Sequence, residues 1–262
     1  MRAVTHCTLN FITRPSSNMA AIYLIRHGQA SFGSADYDQL SEKGRQQAVL
    51  LGQYWRSRAT PSKLFCGDLL RHNQTLSGFN EGYQGVATPT VIHSGFNEFD
   101  HVDILNNYHA QWQNLAKMSE EIKQRKEPNK SFQKEFAQAL NRWVAGDNND
   151  DYIETWPKFK ARCIRALQDI IEQELANKRK FKAQGSDNKK SKDILIFTSG
   201  GTISVIVQHI LKLSDQQALE INQQARNTSV TKLLFSENML SVDYLNNYSH
   251  LEQVGEDWVT FR

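Results

Sequence analysis

Residues 21–29 read AIYLIRHGQ, and this stretch decides the fold. The apolar run Ala21–Ile25 is typical of a buried strand, and Arg26, His27 and Gly28 follow it directly. Histidine is a nitrogen nucleophile at neutral pH, and the arginine guanidinium matches the geometry of a phosphate. The stretch therefore indicates phosphoryl transfer to an imidazole. Three residues also recur by chance, so the rest of the chain must supply matching partners.

Size and composition narrow the function classes. With 262 residues and 39% apolar side chains, the chain is long enough for one large domain with a substantial core. The net charge of +3 is too small to predict a nucleic-acid partner, and no apolar run approaches the ~20 residues that cross a bilayer. Its three cysteines lack paired spacing, which is typical of reduced thiols and predicts a cytoplasmic location.

Residues 1–18 differ from the rest of the chain. They include basic residues and serines but no acid, which fits a targeting segment, a disordered extension or a start codon assigned too early. Met19 directly precedes the first strand, and this favours the last two interpretations. We therefore expect residues 19–262 to form a single domain.

Strand and helix signals alternate along the chain. Ser41 fits a helix N-cap, and the apolar run Ile194–Phe197 is typical of a central parallel strand. Such alternation predicts an α/β sheet covered on both faces. Residues 178–192 are basic and contain glycine and serine, so they are predicted to be a solvated loop. Strands are predicted at 21–25, 63–66, 90–93, 194–197, 230–235 and 240–245, and helices at 42–58, over most of 103–184, and from the glycines at 200 and 201 to 213.

Polar side chains follow four of the predicted strands. In α/β sheets, ligands bind beyond the carboxyl ends of the strands. Four polar positions at one edge of a sheet are harder to obtain by accident than one tripeptide. They are Arg26 with His27, Arg71, Glu98, and Ser199 with Gly200.

These positions fit the hydrolysis of a phosphate monoester. Arg26 and Arg71 can each give paired N–H bonds to a phosphoryl group. His27 can attack in line if a backbone carbonyl holds the proton on its other ring nitrogen. Glu98 can protonate the leaving alkoxide and then act as base for water. Because the arginines supply the positive charge, neither a metal ion nor another cofactor is expected.

Each residue also has a structural alternative. Arg71 could make an ion pair with Asp68 on a helix surface. Glu98 or Asp100 could cap a helix, and Gly200 could belong to a tight turn only. These alternatives become improbable jointly, since all positions fall at strand ends.

Four segments carry a resemblance to a known family: IYLIRHGQ at 22–29, LSEKGRQQA at 40–48, DLLRHNQT at 68–75 and NEFD at 97–100. Over most of residues 20–250, the chain resembles the histidine phosphatase superfamily, also called the phosphoglycerate mutase-like family. The resemblance implies a three-layer α/β/α sandwich with a mostly parallel sheet. It also implies a helical cap insertion at about 103–154 that shapes substrate choice.

The resemblance assigns roles to the same side chains. It implies that His27 is the phosphorylated nucleophile, that Arg71 is the second phosphate arginine, and that Glu98 rather than Asp100 is the acid and base. His72 stands where the family's motif has alanine.

One position departs from the family. Ser199 stands where the family has its second histidine, and a hydroxyl brings no positive charge. One lost charged hydrogen bond is worth about 1.5–3 kcal/mol, or roughly one to two orders of magnitude in rate. Gly200 and the following helix N-terminus still offer N–H groups to an anion. His101 is a candidate accessory histidine, whereas His72 is expected to point about 100° away from Arg71 on a helix.

The preferred function is therefore a metal-independent phosphomonoesterase that works through phospho-His27. Two alternatives stay open: a catalytically weak or inactive module that binds a phospho-ligand or a protein, and a phosphoglycerate mutase. The expected partner is a small phosphorylated substrate or, alternatively, a phosphoprotein. The sequence identifies neither the substrate nor the oligomeric state.

Overall fold

A six-stranded sheet forms the centre of the computed structural model, which describes residues 19–31, 38–109, 115–185 and 193–261. Across the sheet, the strands of these described segments follow the order β3-β2-β4-β1-β5-β6. The strands are β1 Ala20–Arg26, β2 Lys63–Cys66, β3 Thr90–Ile92, β4 Ile194–Thr198, β5 Val230–Phe235 and β6 Leu240–Asn247.

The sheet is mostly parallel, as predicted. β4 pairs in parallel with β1 on one side and with β2 on the other, and β2 pairs in parallel with β3. Only β5 and β6 among these strands run antiparallel to their neighbours. The carboxyl ends of the four parallel strands therefore meet at one edge of the sheet, where the chain places its polar positions.

Helices cover both faces of the sheet. Ser41 caps the first of them, because its hydroxyl accepts a hydrogen bond from Gly44 N at 3.1 Å. The helices are α1 Glu42–Trp55, α2 Leu70–Tyr83, α3 His101–Tyr108, α4 Leu115–Lys123, α5 Pro128–Ala145, α6 Trp156–Ala183, α7 Gly200–Leu211, α8 Asp215–Gln224 and α9 Ser249–Glu252.

Alternate residues of β1 point to two separate hydrophobic cores. Tyr23 and Ile25 pack into a core that includes Trp55 of α1 and Phe79 of α2. Ile22 and Leu24 face the opposite core, to which α6, α7 and the helices between β3 and β4 contribute. One core on each face of a sheet is the three-layer α/β/α arrangement that the resemblance implies.

The insertion between β3 and β4 is helical, as expected for the cap. Its helices α3 to α5 add Ile104, Leu140 and Trp143 to the same core that lies under α6. Trp143 and Trp156 meet edge to face, with ring centroids 5.2 Å apart. No helix in the described residues is long and apolar enough to cross a membrane.

The prediction of a basic loop at residues 178–192 is wrong for its first six residues. Residues 178–183 continue α6, because this stretch consists mostly of good helix formers and contains no glycine or proline. Gly185, with φ +70°, follows in the left-handed conformation that commonly ends a helix. The rest of the predicted loop, 186–192, and the predicted extension 1–18 lie outside the described residues.

Candidate active site

His27 follows the central strand β1 and is buried. Its backbone N donates to Thr198 O at 2.9 Å, and its carbonyl accepts from Thr228 N and Asn227 Nδ2, both at 3.2 Å. The ring Nδ1 lies 2.7 Å from Gly28 O. A carbonyl only accepts, so this contact places the ring proton on Nδ1 and the lone pair on Nε2.

The surroundings of His27 keep its ring neutral. Burial lowers the pKa of His27 well below 6.5, and the positive charges of Arg71 and Arg26 lower it further. A neutral imidazole retains the nucleophilic lone pair that in-line attack on phosphorus requires.

The loop after His27 passes very close to helix α1. A Cβ on Gly28 would lie 2.3 Å from Gly44 O, so no side chain fits at this position. Gly28 N donates to Thr75 Oγ1 at 3.1 Å, and Gln29 N donates to Gln47 Oε1 at 2.9 Å. These bonds hold the Gly28 carbonyl that orients the His27 ring.

Arg71 lies in the first turn of α2 and is buried. Its Nη1 donates to Asp38 Oδ1 at 2.6 Å, and Asp38 Oδ2 accepts from Leu70 N at 2.8 Å. Asp38 therefore orients Arg71 and also caps α2, whose preceding residue makes no side-chain cap. The predicted alternative, an ion pair with Asp68, is wrong, because the Asp68 carboxylate accepts from Asn97 instead.

Arg26 is half-buried at the end of β1. Its Nη1 donates to the backbone carbonyl of Ala225 and, at 3.2 Å, to that of Phe261. A Cβ on Gly200 would lie 3.6 Å from Arg26 Nε, so the guanidinium lies beside the N-terminus of α7. The sheet edge thus brings Arg26, His27, Arg71 and Gly200 into one region.

Glu98 lies against the same helix N-terminus. Its Oε2 accepts from Gly201 N at 3.0 Å, and its Oε1 accepts from Phe99 N at 3.2 Å. A Cβ on Gly201 would lie 2.2 Å from Glu98 Oε1, so glycine is required for this approach. Burial raises the pKa of Glu98, although these hydrogen bonds and Arg71 oppose the shift.

Asp100 has a structural role. Its Oδ1 accepts from Val102 N at 2.9 Å and from Asp103 N at 3.2 Å, which caps α3. Between the two acids that the sequence offers in this segment, only Glu98 contacts the N-terminus of α7.

His72 lies beside the site, which its expected angle of about 100° from Arg71 did not predict. His72 is fully buried, its Nε2 lies 2.6 Å from Ser199 Oγ, and its ring centroid lies 5.9 Å from that of His27. Arg71 and His72 do differ by about 100° around α2. The N-terminus of α2 points at the site, however, so consecutive residues of its first turn can flank the same space.

His101 is the first residue of α3 and is partly exposed. Burial and the charge of Arg71 lower its pKa, while Asp100 and Asp38 raise it. His101 is therefore close enough to Arg71 for the two charges to interact. Within the described segments, no group of three or more His, Cys, Asp or Glu side chains is arranged to hold a metal ion.

Two residues of the site, His72 and Asp38, were not predicted from the sequence. The histidine stands directly after a predicted phosphate arginine, and that adjacency was the available signal. Asp38 gives no comparable signal, because its partners Leu70 and Arg71 are more than 30 residues away in the chain.

The sequence matches the family model of the histidine phosphatase superfamily (branch 1) over residues 22–248. No curated protein matches the chain.

Several solved structures share the fold. A phosphoglycerate mutase from Bacillus anthracis str. Sterne has a TM-score of 0.59 and 17% identity, covering 89% of this chain and 95% of its own. A mycobacterial glucosyl-3-phosphoglycerate phosphatase has a TM-score of 0.57 and 20% identity, with coverages of 87% and 99%. A phosphoserine phosphatase mutant from Entamoeba histolytica, bound to phosphoserine, has a TM-score of 0.55 and 16% identity, with coverages of 89% and 100%. At these identities the likeness extends to the fold alone.

Proposed function

We propose that this chain, which belongs to the histidine phosphatase superfamily (branch 1), is a metal-independent phosphomonoesterase that works through a phosphohistidine on His27. The hydrogen bond from His27 Nδ1 to Gly28 O carries the proposal. It leaves Nε2 as the nucleophilic atom of a neutral, buried imidazole. The neighbouring arginines supply positive charge for the three non-bridging phosphoryl oxygens.

In the first step, His27 Nε2 attacks phosphorus and the bond from phosphorus to the ester oxygen breaks. Glu98 gives its proton to the leaving alkoxide, and its raised pKa favours the protonated form that this step needs. Arg26 and Arg71 stabilise the charge on the equatorial oxygens.

In the second step, water attacks the phosphohistidine. The Glu98 carboxylate takes a proton from this water, the bond from nitrogen to phosphorus breaks, and inorganic phosphate leaves. Both His27 and Glu98 return to their starting protonation states, so the cycle consumes one ester and one water.

The substrate is proposed to be a small phosphorylated molecule. We expect the helical cap at 103–154 to select it, because this insertion lies directly after Glu98 in the chain. Phosphoserine and glucosyl-3-phosphoglycerate belong in a substrate panel, since structurally similar phosphatases carry those names. A phosphorylated protein is a second class for the same panel.

Hydrolysis of p-nitrophenyl phosphate and of this panel, with and without EDTA, tests the proposal. We expect turnover that survives EDTA and acid-labile phosphorylation of His27. His27→Ala should lower kcat/KM by at least about a thousandfold, as expected for the loss of a nucleophile. His209→Ala is the matched control, because His209 lies on the later part of α7 and is only partly buried. Interconversion of 3- and 2-phosphoglycerate in place of hydrolysis would overturn the proposal.

A second candidate is a binding module that does not turn over substrate. It is favoured by the partners of the two arginines, since Arg71 pairs with the Asp38 carboxylate and Arg26 with two backbone carbonyls. A ligand must compete with these partners for the same N–H groups. Phosphate binding to the wild type without any phosphorylation of His27 would support this candidate.

A further inference from the structure

We propose that His72 and Ser199 act as one unit, in which His72 Nε2–H donates to Ser199 Oγ and directs the Ser199 hydroxyl hydrogen at the bound phosphoryl group. This inference rests on the proposed phosphatase function and deepens it. It makes Ser199 a phosphate donor and His72 the positioning residue behind it.

The two side chains are brought together from separate elements. His72 comes from the first turn of α2, and Ser199 directly precedes α7. Both are fully buried, and 2.6 Å separates His72 Nε2 from Ser199 Oγ. Ser199 also follows Thr198, whose carbonyl accepts from His27 N at 2.9 Å. The pair therefore lies next to the proposed nucleophile.

The second ring nitrogen of His72 fixes the direction of this hydrogen bond. Nδ1 is buried without a hydrogen-bond partner among the described residues. It faces Gly67, where an added Cβ would lie 2.2 Å from it. Burial lowers the pKa of His72 well below 6.5, so the ring carries one proton. A buried N–H without an acceptor is rarer than a buried acceptor without a donor, so the proton lies on Nε2.

Ser199 is consequently left with an unused donor. Its hydroxyl accepts from His72, and it makes no side-chain cap to α7 although Ser199 is the N-cap residue. The Ser199 carbonyl, in contrast, accepts from Ile203 N at 3.1 Å within the helix. The hydroxyl hydrogen can therefore point into the site between α7 and His27, where a phosphoryl oxygen would accept it.

Paired variants of His72 separate positioning from packing. His72→Leu fills the space without a donor, whereas His72→Gln keeps an N–H at about the reach of Nε2. With p-nitrophenyl phosphate, we expect His72→Leu and Ser199→Ala each to lower kcat/KM about ten- to hundredfold, the range for one hydrogen bond to a charged group. His72→Gln should stay within about threefold of wild type, because the amide replaces the lost bond. Thermal unfolding of each variant identifies those that fail to fold.

The double variant His72→Leu/Ser199→Ala tests whether the two side chains act together. We expect it to be no slower than either single variant, since each single change already breaks the unit. Ser204→Ala is the control, because it removes another buried hydroxyl of α7, which donates to Gly201 O at 2.8 Å. Unchanged kcat/KM in Ser199→Ala, losses that multiply in the double variant, or no rescue by glutamine would each overturn the inference.

A second experiment separates this inference from the proposed function. Calorimetry measures how tightly the wild type and the same variants bind inorganic phosphate and orthovanadate. Suppose that the wild type does not hydrolyse esters, but that the variants lose affinity for these anions and the double variant loses no more than the single ones. This result would support the unit and refute the phosphatase. If the wild type hydrolyses esters but the effects of His72→Leu and Ser199→Ala are independent, the phosphatase is supported and the unit is refuted. A wild type that neither hydrolyses esters nor binds either anion would overturn both.

Discussion

At His27, a single backbone carbonyl decides which ring nitrogen can react. The Gly28 carbonyl can accept only from a protonated Nδ1, and Gly28 itself is held by Thr75 and by its close approach to Gly44. Arg71 and Arg26 then favour the neutral ring over the charged one. The reactivity proposed for His27 thus depends on residues from three different elements.

The pH profile of kcat/KM follows from two shifted groups. His27 must be deprotonated, and its pKa lies well below 6.5, so lowering the pH through 6.5 should not reduce activity. Glu98 must be protonated in the first step, and its pKa is raised from 4.5, so activity should fall as the pH rises through that raised value. We expect kcat/KM to be highest at the acidic end of the range and to decrease toward the alkaline end, measured with an alkyl phosphate between about pH 4 and 8.

Glu98→Gln is the control for this profile. It should abolish the alkaline decrease, and it should slow an alkyl phosphate more than p-nitrophenyl phosphate, whose leaving group needs less protonation. An acid limb near the ordinary histidine pKa would contradict the assignment of His27.

Restoring a histidine at position 199 should fail while His72 is present. Both positions are fully buried and in contact, so the imidazole of Ser199→His would overlap that of His72. Overpacking of this kind costs about 1–3 kcal/mol of stability. Ser199→His should therefore unfold at lower temperature and lose activity. Adding His72→Ala should restore the unfolding temperature and raise kcat/KM at least about tenfold. Equal activity of the single and double variants would show that the two side chains do not compete for space.

The sequence could predict the residues that follow strands, because parallel strands align their carboxyl ends. This rule brought Arg26, His27, Arg71 and Glu98 to one edge. It could not predict His72, since helical spacing gives the angle between neighbouring residues but not the direction in which the helix points. It could not predict Asp38 either, because a contact between distant loops leaves no periodic pattern.

At the scale of elements, helices α1 and α2 pack with their backbones in unusually close contact. A Cβ on Gly82 would lie 2.0 Å from Val49 O, and one on Gly52 would lie 2.1 Å from Phe79 O. Both glycines are buried inside helices, so each permits the close approach that positions α2. The direction of α2 in turn places Arg71 and His72.

Gly82→Ala should destabilise the protein although alanine is the better helix former. An alanine in a free helix gains about 0.5–1 kcal/mol over glycine, but here its methyl group collides with backbone atoms that cannot move aside. We expect a net loss of at least about 1–3 kcal/mol in the free energy of unfolding, measured by urea denaturation. The neighbouring exposed Glu81→Ala is the control and should change stability by less than about 0.5 kcal/mol. A more stable Gly82→Ala would show that the two helices can separate at no cost.

Element types were more predictable than element ends. The strand at Lys63–Cys66 and the cap at Ser41 follow from local signals that the structure confirms. The C-terminal end of α6 was predicted wrongly, because a basic stretch without an apolar stripe has the same composition in a solvated loop as in an exposed helix. Its last turns are exposed and gain the ion pair between Arg179 and Glu237, whose Nε and Oε1 lie 2.9 Å apart.

At the scale of the whole molecule, several histidines are buried in neutral form. Burial lowers the pKa of His27 and His72 well below 6.5, and that of His250 to about 3. Below pH 6.5 the unfolded chain binds more protons than the folded one, so acid favours unfolding. These histidines lie in the region around His27, and their protonation would lower the free energy of unfolding of the whole domain.

The free energy of unfolding should therefore fall as the pH is lowered from 6.5 toward 5. Each such histidine contributes a slope of up to about 1.4 kcal/mol per pH unit. His250→Gln should make the dependence shallower by about one such slope, because glutamine can still bond Thr228 but does not titrate. Urea unfolding at several pH values measures this, and equal slopes for the wild type and His250→Gln would contradict neutral burial of His250.

The central position of β1 also bears on how the chain folds. β1 pairs with β4 through Ile22 and Ile194, and with β5 through Ile22 and Leu233, so both neighbours come about 170 residues or more later in the chain. Closing such long loops before any contact forms is entropically costly and slows folding. Until β4 and β5 are available, β1 keeps two unpaired edges, which can capture other chains. Truncation between α6 and β4 should therefore favour aggregation and chaperone binding over a partly folded sheet.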